Sequence, residues 1–197
     1  MREVELETPL AEDEVRALEV GDRVLLTGRV VTARDRAHQY LAREATPDDL
    51  PFDLSGGAIY HCGPIVKTRK DSSYEVVAAG PTTSARMNMY VPQILRKFGV
   101  RAIIGKGGMD AEVLAALEAC RAVYLSAVGG AAQVLAAAVE QIEGCFKVDE
   151  FGGPEGMWIF RVRDFPTVLT MDAHGHSLHE KLERASKRQL GSLLDIQ

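Results

Sequence analysis

The stretch Val76-Val-Ala-Ala-Gly-Pro-Thr-Thr-Ser-Ala-Arg-Met87 joins a short apolar run to two threonines, a serine and an arginine. The apolar run predicts a strand, and the spacing of the apolar residues that follow predicts a helix starting near Ser84. Free N–H groups and a partial positive charge at the first turn of such a helix attract anions, and Arg86 can fork onto a carboxylate. The stretch predicts an α/β fold with an anion-binding turn, although Thr82 or Thr83 acting only as a helix cap would explain the same residues.

The composition is that of a soluble globular protein with one core, since 46% of the 197 residues are hydrophobic and 26% are charged. A net charge of −5 argues against nucleic-acid binding. No apolar run reaches the length needed to cross a bilayer, which argues against a membrane partner. Residues 1–7 are acidic and lack the apolar stretch of a signal peptide, so we expect a cytoplasmic location.

Strands and helices alternate through the middle of the chain, which predicts a parallel βαβ core, and both ends are rich in strands. We therefore expect one mixed α/β domain over residues 1–197, with a helical tail over about 174–197. The predicted strands are 3–10, 22–32 (one bulged strand or a strand pair), 58–62, 76–79, 101–104, 122–126, 145–151, 156–162 and 167–172. The predicted helices begin at 33, near 84, at 110 and at 131, the last ending at 142, and Pro92 is expected to bend the second of them.

Three polar clusters follow predicted strands. They are Arg34-Asp35-Arg36-Ala37-His38, Thr82-Thr83-Ser84 with Arg86, and Gly105-Lys106-Gly107-Gly108. Loops at the carboxyl ends of strands are where α/β sheets bind ligands. Each cluster offers a cation, so together they predict a pocket for a small molecule with more than one carboxylate or phosphate.

Each cluster also has a structural explanation. Arg34 and Arg36 could pair with Asp35 at the surface, and His38 could be a hydrogen-bonded structural histidine. Lys106 is harder to explain without a ligand, because a glycine loop lets the backbone approach a bound molecule closely. The loop lacks the spacing of a Walker A motif, and the chain has no Gly-x-Gly-x-x-Gly fingerprint, so nucleotide binding is disfavoured.

The cysteines and the C-terminal histidines do not predict a metal site. An odd number of widely spaced cysteines is no disulfide framework, and Cys120 and Cys145 are interpreted as small core residues, with Cys62 left open. The histidines have a spacing that does not match a helical metal face; they are His174, His176 and His179. On residue chemistry alone the sequence predicts binding of a small dianion and names no reaction.

Four motifs, in this order, resemble the β region of the iron–sulfur hydro-lyases, that is, class I fumarate hydratase and L(+)-tartrate dehydratase. The motifs are Thr32-Ala-Arg-Asp-Arg-Ala-His38, Gly80-Pro-Thr-Thr-Ser-Ala-Arg-Met87, Ile104-Gly-Lys-Gly-Gly-Met109 and Gly153-Pro-Glu-Gly-Met-Trp158. The similarity covers roughly residues 1–175. It is specific for the family and not for one substrate.

The resemblance implies a swivelling β/β/α domain that closes over an α region, where three cysteines hold a [4Fe-4S] cluster. This chain would be the β part alone, with the cluster held by a partner α subunit and no metal bound by this chain. A homodimer of β chains or an assembly of two α and two β chains is implied. The implied reaction is reversible hydration of fumarate to L-malate. The alternatives are an L(+)-tartrate dehydratase β subunit, which converts tartrate to oxaloacetate, and a non-catalytic domain that binds dicarboxylates.

The resemblance also implies roles for single residues. Thr82 matches the threonine proposed as the base at C3 of the substrate. Substrate binding is implied for Arg34, Asp35, His38, Thr83, Arg86 and Lys106. Arg36 stands where a small residue is expected. Because a free hydroxyl is a poor proton acceptor, Thr82 would need a nearby cation and a helix N-terminus to stabilise its alkoxide.

Overall fold

The computed structural model describes residues 2–71 and 73–193, which form a seven-stranded mixed sheet, a separate two-stranded sheet and flanking helices. The strands are β1 (Glu3–Glu7), β2 (Arg23–Thr32), β3 (Ala58–Tyr60), β4 (Ile65–Thr68), β5 (Tyr74–Ala78), β6 (Ala102–Gly105), β7 (Val123–Ser126), β8 (Val139–Phe146) and β9 (Met157–Met171). The helices are α1 (Glu12–Arg16), α2 (Asp35–Arg43), α3 (Val91–Phe98), α4 (Ala111–Cys120), α5 (Ala132–Ala137), α6 (Val148–Phe151) and α7 (Leu178–Leu193), with 3₁₀ turns at Pro47–Asp49 and Ser84–Met87.

The large sheet has the order β1-β2-β3-β6-β7-β9-β8. Strands β1, β2, β3, β6 and β7 run parallel to one another, and β9 is antiparallel to β2, β7 and β8. Because β9 pairs with both β2 and β7, the strands β2, β3, β6, β7 and β9 close into a ring. The predicted mixed sheet with a parallel core is confirmed.

Alternation of side chains along the strands creates two core layers on the two faces of the sheet. Val30, Tyr60, Ile104 and Leu125 belong to one buried cluster, together with Phe160 and Phe165 of β9. Their strand neighbours belong to the second cluster, which packs against α2, α3 and α4; they are Val31, Ile59, Ile103 and Tyr124. The helices therefore cover one face of the parallel strands and leave the strand ends free.

Residues 23–32 form one bulged strand. The register between β2 and β9 shifts between Leu26 and Gly28, and Gly28 has a φ of 100°. A Cβ at Gly28 would lie 2.5 Å from Thr8 Oγ1, so only glycine fits where the end of β1 crosses this bulge.

Three predictions in the C-terminal third were wrong. The helix predicted over 131–142 ends at Ala137, and β8 begins at Val139, because pairing with β9 outweighs the helical preference of an alanine-rich run. The strand predicted over 145–151 instead ends at Phe146 and is followed by α6. The strands predicted at 156–162 and 167–172 are one continuous strand, β9, held along its length by β2.

The helix expected to start near Ser84 also differs. Residues Ser84–Met87 make a single 3₁₀ turn, and α3 begins only at Val91. Pro92 therefore lies in the first turn of α3, where its missing N–H costs nothing, and the predicted bend is absent. Gly99, with a φ of 64°, ends α3 as a left-handed cap.

The predicted C-terminal helix corresponds to α7, and residues 194–197 of the predicted tail lie outside the described residues. Within residues 2–71 and 73–193, no helix combines the length and the apolar character that a membrane span requires.

Candidate active site

The Arg34 and Lys106 turns lie at one edge of the sheet. Parallel neighbours β2, β3 and β6 end at Thr32, Tyr60 and Gly105, so the turns that follow emerge side by side. This is the carboxyl edge where α/β sheets bind ligands.

The Thr82 segment reaches the same edge by a different route, since it follows β5 of the separate two-stranded sheet. The Thr82 N–H donates to the His61 carbonyl at 2.7 Å, and the Ser84 N–H donates to the Lys106 carbonyl at 3.1 Å. Thr83 itself is exposed and pairs with Lys106 in a parallel β-bridge. The segment is therefore held between the turn after β3 and the turn after β6, and all three predicted clusters meet.

Arg86 links two of the predicted site residues. Its Nε and Nη2 donate to the two carboxylate oxygens of Asp35 at 3.1 and 3.0 Å, and Nη2 also donates to Thr82 Oγ1 at 3.0 Å. The hydrogen bond from Arg86 lowers the pKa of Asp35. The pair is worth little to stability at the surface, but it fixes a cation against the Thr82 hydroxyl oxygen.

Arg34 is held loosely by comparison. Its Nε is buried and has no hydrogen bond within the described part of the chain, and Glu155 Oε1 lies 3.4 Å away. A Cβ on Gly63 would lie 2.5 Å from Arg34 Cδ and 2.7 Å from the Pro154 carbonyl, so glycine is needed there to let these groups pack. Sequence reasoning missed Gly63 and Glu155. The signal was present, because Glu155 lies in a quoted motif and Gly63 directly follows the strand predicted over 58–62.

Lys106 is half-buried, and no hydrogen bond or ion pair of its ammonium group is found in residues 2–71 and 73–193. Gly107 and Gly108 adopt φ angles of 83° and 73°, so the loop needs glycine for its turn. Among the residues that the structure describes, the lysine is therefore a cation without a protein partner at the edge of the site.

His38 and Arg36 differ from the other predicted residues. His38 is completely buried, its Nδ1 lies 2.8 Å from the Arg34 carbonyl oxygen, and burial lowers its pKa to about 4. It therefore lies beneath the turn as a neutral side chain. The Arg36 guanidinium stacks over Phe151 at 5.3 Å, while its backbone N–H donates to Glu155 Oε2. These contacts direct Arg36 toward α6.

Two further polar residues beneath the site, His61 and Tyr124, were not predicted, while Ser84 was predicted as part of the hydroxyl cluster. His61 Nδ1 lies 2.8 Å from Ser84 Oγ, which lies 2.8 Å from the Tyr124 hydroxyl. Burial holds the pKa of His61 well below its usual value and raises the pKa of Tyr124 to about 12. No motif marked His61 or Tyr124, because each falls in an apolar predicted strand and has the pattern of a core position.

The cysteines do not fit an iron–sulfur cluster. Cys62 is buried, and burial raises the pKa of its thiol to about 12, which disfavours the thiolate that binds metal. Cys120 is half-buried and Cys145 is exposed, so the prediction of a core residue was wrong for Cys145. In the described ranges no three or more His, Cys, Asp or Glu side chains are arranged to hold a metal ion.

The candidate site is an open surface in this chain. The side chains of Arg34 and Arg86 keep 29% and 43% of their surface exposed. A cavity of about 330 Å³ lies elsewhere, between the end of β1, the loop before β3 and the middle of β2 and β9. Its lining includes Arg29, Asp53 and Arg161 and none of the predicted site residues.

Comparison with known proteins identifies the family. The model of the family described as fumarase C-terminus matches residues 1–182. A putative class I fumarate hydratase of Geobacillus stearothermophilus is 48% identical over 189 residues, which cover 96% of this chain and 36% of that protein. A putative L(+)-tartrate dehydratase subunit beta of Methanocaldococcus jannaschii is 40% identical, over 95% of this chain and 96% of that protein.

The L(+)-tartrate dehydratase subunit beta of Escherichia coli K12 is 37% identical over 88% of this chain and 85% of that subunit. The chain thus spans about a third of the fumarate hydratase relative and nearly all of the two tartrate dehydratase subunits. The resemblance seen in the four motifs is confirmed, and this chain belongs to the fumarase C-terminus family.

Proposed function

We propose that this chain is the β subunit of a hydro-lyase that hydrates a small dicarboxylate, with fumarate and L-malate as the substrate pair. The observation that carries the proposal is the Arg86 guanidinium between Asp35 and the Thr82 hydroxyl, on the edge that also bears Arg34 and Lys106. The name of the fumarate hydratase relative supports the same reaction class.

The charges of the site suit a substrate with two carboxylates. Arg34, Arg86 and Lys106 supply three cations, while Asp35 and Glu155 supply two anions. Lys106 has no ion pair in the described ranges, and the buried Nε of Arg34 has no hydrogen bond there. One substrate carboxylate would pair with Lys106 and the other with the exposed part of the Arg34 guanidinium.

Thr82 is the proposed base at C3. In dehydration of malate, Thr82 Oγ1 takes the C3 proton while the hydroxyl group leaves C2, and hydration of fumarate reverses both steps. The cationic Arg86 Nη2 at 3.0 Å favours the alkoxide over the alcohol, which is the activation that a weak oxygen base requires. Asp35 keeps that guanidinium in place by a two-point contact.

A partner must complete the site. The open surface around Arg34 and Arg86 suits a swivelling domain that closes on a second chain. A partner α subunit would supply a [4Fe-4S] cluster whose exposed iron acts as Lewis acid toward the departing hydroxyl group. An assembly of two α and two β chains, or a homodimer of β chains docked to α, is the proposed form.

The test is reconstitution. This chain is co-expressed with a cysteine-bearing α-type chain from the neighbouring reading frame, the cluster is built anaerobically, and fumarate consumption is followed by its ultraviolet absorbance. We expect L-malate to form with both chains present and none with this chain alone. A cluster-loaded complex that leaves both fumarate and tartrate unchanged would contradict the proposal.

L(+)-tartrate dehydratase is the second candidate, because this chain matches 96% and 85% of two relatives with that name. The same complex assayed on L(+)-tartrate, with oxaloacetate measured by coupled reduction, decides between the two by the larger kcat/KM. Binding of fumarate or tartrate without turnover of either would instead favour the non-catalytic dicarboxylate-binding domain.

A further inference from the structure

Four fully buried polar side chains lie beneath the three turns of the candidate site. They are His38, His61, Ser84 and Tyr124, each with no exposed surface. Buried polar groups are normally paired, yet the Nε2 atoms of both histidines lack a hydrogen-bond partner in the described residues. The partner that His38 does have fixes which of its ring nitrogens carries the proton.

His38 must carry its proton on Nδ1. Within the described part of the chain that nitrogen is bonded to the Arg34 carbonyl oxygen alone, at 2.8 Å, and a carbonyl can only accept. The ring is neutral because burial lowers its pKa. His38 Nε2 is therefore a hydrogen-bond acceptor that has no donor in the described residues.

His61 is assigned the opposite tautomer. With the Tyr124 hydroxyl as the donor to Ser84 Oγ at 2.8 Å, Ser84 keeps its own proton for His61 Nδ1. Ser84 then donates to His61 Nδ1 at 2.8 Å. A neutral His61 with an accepting Nδ1 carries its proton on Nε2, so this atom is a donor that lacks an acceptor.

The two rings pack against each other. Their centroids are 4.7 Å apart in an edge-to-face contact, and neither Nε2 has a hydrogen-bond partner in the described residues. Two hydrogen-bonded groups are therefore in contact, His38 with the Arg34 carbonyl and His61 with Ser84 and Tyr124.

Gly105 leaves room for these hydrogen-bonded side chains. A Cβ at Gly105 would lie 1.9 Å from Ser84 Oγ and 3.1 Å from both His61 Nδ1 and the Tyr124 hydroxyl. Its φ is not in the left-handed region, so the backbone conformation does not require glycine. The space taken by the hydrogen-bonded side chains does.

We propose that His38, His61, Ser84 and Tyr124 are positioning residues, which tie the turns of Arg34, Thr82 and Lys106 into one rigid unit. His38 is bonded to the Arg34 carbonyl and packs on His61, which is bonded through Ser84 to Tyr124. The backbone ties the same turns, because the Thr82 N–H donates to the His61 carbonyl and the Ser84 N–H donates to the Lys106 carbonyl. None of the four side chains contacts solvent, so each acts through the turns it holds. The effect on turnover rests on the proposed function, while the network itself does not.

The network is tested on the isolated full-length chain at pH 7 by ¹⁵N–¹H correlation of the histidine rings. We expect His38 as the Nδ1–H tautomer and His61 as the Nε2–H tautomer. Two histidines in the same tautomer, or either one as imidazolium at pH 7, would overturn the network whether or not the protein is a hydro-lyase.

Positioning is tested with Tyr124→Phe, which removes one hydroxyl, and Gly105→Ala, which fills the space of the network. The control is Gly144→Ala on β8, whose Cβ would meet only Ile159 Cδ1 at 3.4 Å. Amide exchange at Thr82, Ser84 and Gly108 should accelerate at least about tenfold in Tyr124→Phe and stay unchanged in the control, because local opening sets exchange.

In the reconstituted complex, kcat/KM should fall about tenfold in Tyr124→Phe and about a hundredfold in Gly105→Ala, because displacements near 1 Å cost catalysis that much. We expect both a higher KM, from misplaced cations, and a lower kcat, from a misplaced Thr82. Tyr124→Phe with wild-type amide exchange would overturn the positioning role, as would wild-type kcat and KM in an active complex. If Gly105→Ala fails to fold, Tyr124→Phe alone decides, and if the wild-type complex is inactive, the exchange rates decide.

Discussion

Two arginine–carboxylate clusters in this protein have similar composition but differ in how completely their charges are paired within the described residues. In the first, the Glu143 cluster, one carboxylate accepts from Arg29 Nε at 2.8 Å and from Arg161 Nε at 2.7 Å. Burial tends to raise the pKa of Glu143, but the hydrogen bonds from the two arginines outweigh it and the pKa is lowered. In the second, the candidate site, Arg34 reaches Glu155 only at 3.4 Å, and Lys106 has no ion pair within the described ranges.

From this difference we infer that charge without a protein partner indicates a ligand site better than cavity volume does. Arg29 and Arg161 line the cavity of about 330 Å³, yet their charges already meet Glu143. The candidate site is an open surface, but none of its carboxylates in the described ranges forms an ion pair with Lys106. Thr82 Oγ1 beside Arg86 adds a reactive group that the Glu143 cluster lacks.

The largest expected effect comes from removing the proposed base. Thr82→Ala should lower kcat about a thousandfold with little change in KM, because general-base groups contribute about 10² to 10⁴ in rate. Steady-state assays of the reconstituted complex measure it. Thr82→Ser keeps a hydroxyl near Arg86 and should retain most of the activity. Turnover near wild type in Thr82→Ala would remove Thr82 from the chemistry.

Removing a cation from the candidate site and removing one from the Glu143 cluster should have different effects on kcat and KM. Lys106→Met should raise KM about a hundredfold, since a charge-assisted bond to a carboxylate is worth about 1.5–3 kcal/mol. Arg161→Met should leave kcat and KM within about twofold, because that arginine serves only Glu143. Equal losses in both variants would show that the comparison between the clusters is mistaken.

Stability should fall with acid because of the buried histidines. The folded pKa of His38 is about 4, below the ordinary value of 6.5, and the pKa of His61 is also lowered. Between about pH 4 and pH 6.5 the unfolded chain binds protons that the folded chain does not. The free energy of unfolding should therefore decrease as the pH falls through this range. The slope for each histidine should approach about 1.4 kcal/mol per pH unit.

Denaturant titrations across this pH range measure the slope. Asp35 favours the charged form of His38, while His38 and Arg86 oppose the charged form of His61, and burial dominates both. His38→Gln should flatten the profile, whereas replacing the exposed His174 with Gln should leave it steep. A wild-type profile as flat as that of His38→Gln would contradict neutral burial.

The smallest effect is expected at the Glu143 cluster itself. Glu143→Gln leaves two arginines, each about half exposed, free to bind water, so the free energy of unfolding should change by less than about 1 kcal/mol. Activity of the complex should stay within about twofold of wild type. Thermal unfolding and a single kinetic assay measure both. A large loss of activity would indicate that the neighbouring cavity takes part in function.

The candidate residues could be chosen from the sequence because they sit in short, unusual contexts. Lys106 between glycines and the charged turn at Arg34 follow parallel strands, which deliver such turns to one edge. The hydroxyl run before Arg86 follows β5 of the separate sheet, and its arrival at the same edge could not be predicted. The alternation of strands and helices predicted the parallel core.

The supporting layer could not be predicted. His61, Ser84 and Tyr124 belong to different elements, and only the folded chain brings their side chains within 2.8 Å. Errors in the C-terminal third have the same origin. Local preference favoured a helix through residue 142, but pairing with β9, distant in sequence, decided for β8.

The central claim is that Arg34, Thr82 and Lys106 hold one dicarboxylate between them. The most direct measurement is a crystal structure of the reconstituted complex soaked with succinate, a dicarboxylate that cannot eliminate water. The account predicts carboxylate oxygens within hydrogen-bond distance of Lys106 Nζ and of the Arg34 guanidinium, with Thr82 Oγ1 facing the carbon between them. Succinate bound instead in the cavity between Arg29 and Arg161, with the candidate site empty, would contradict it.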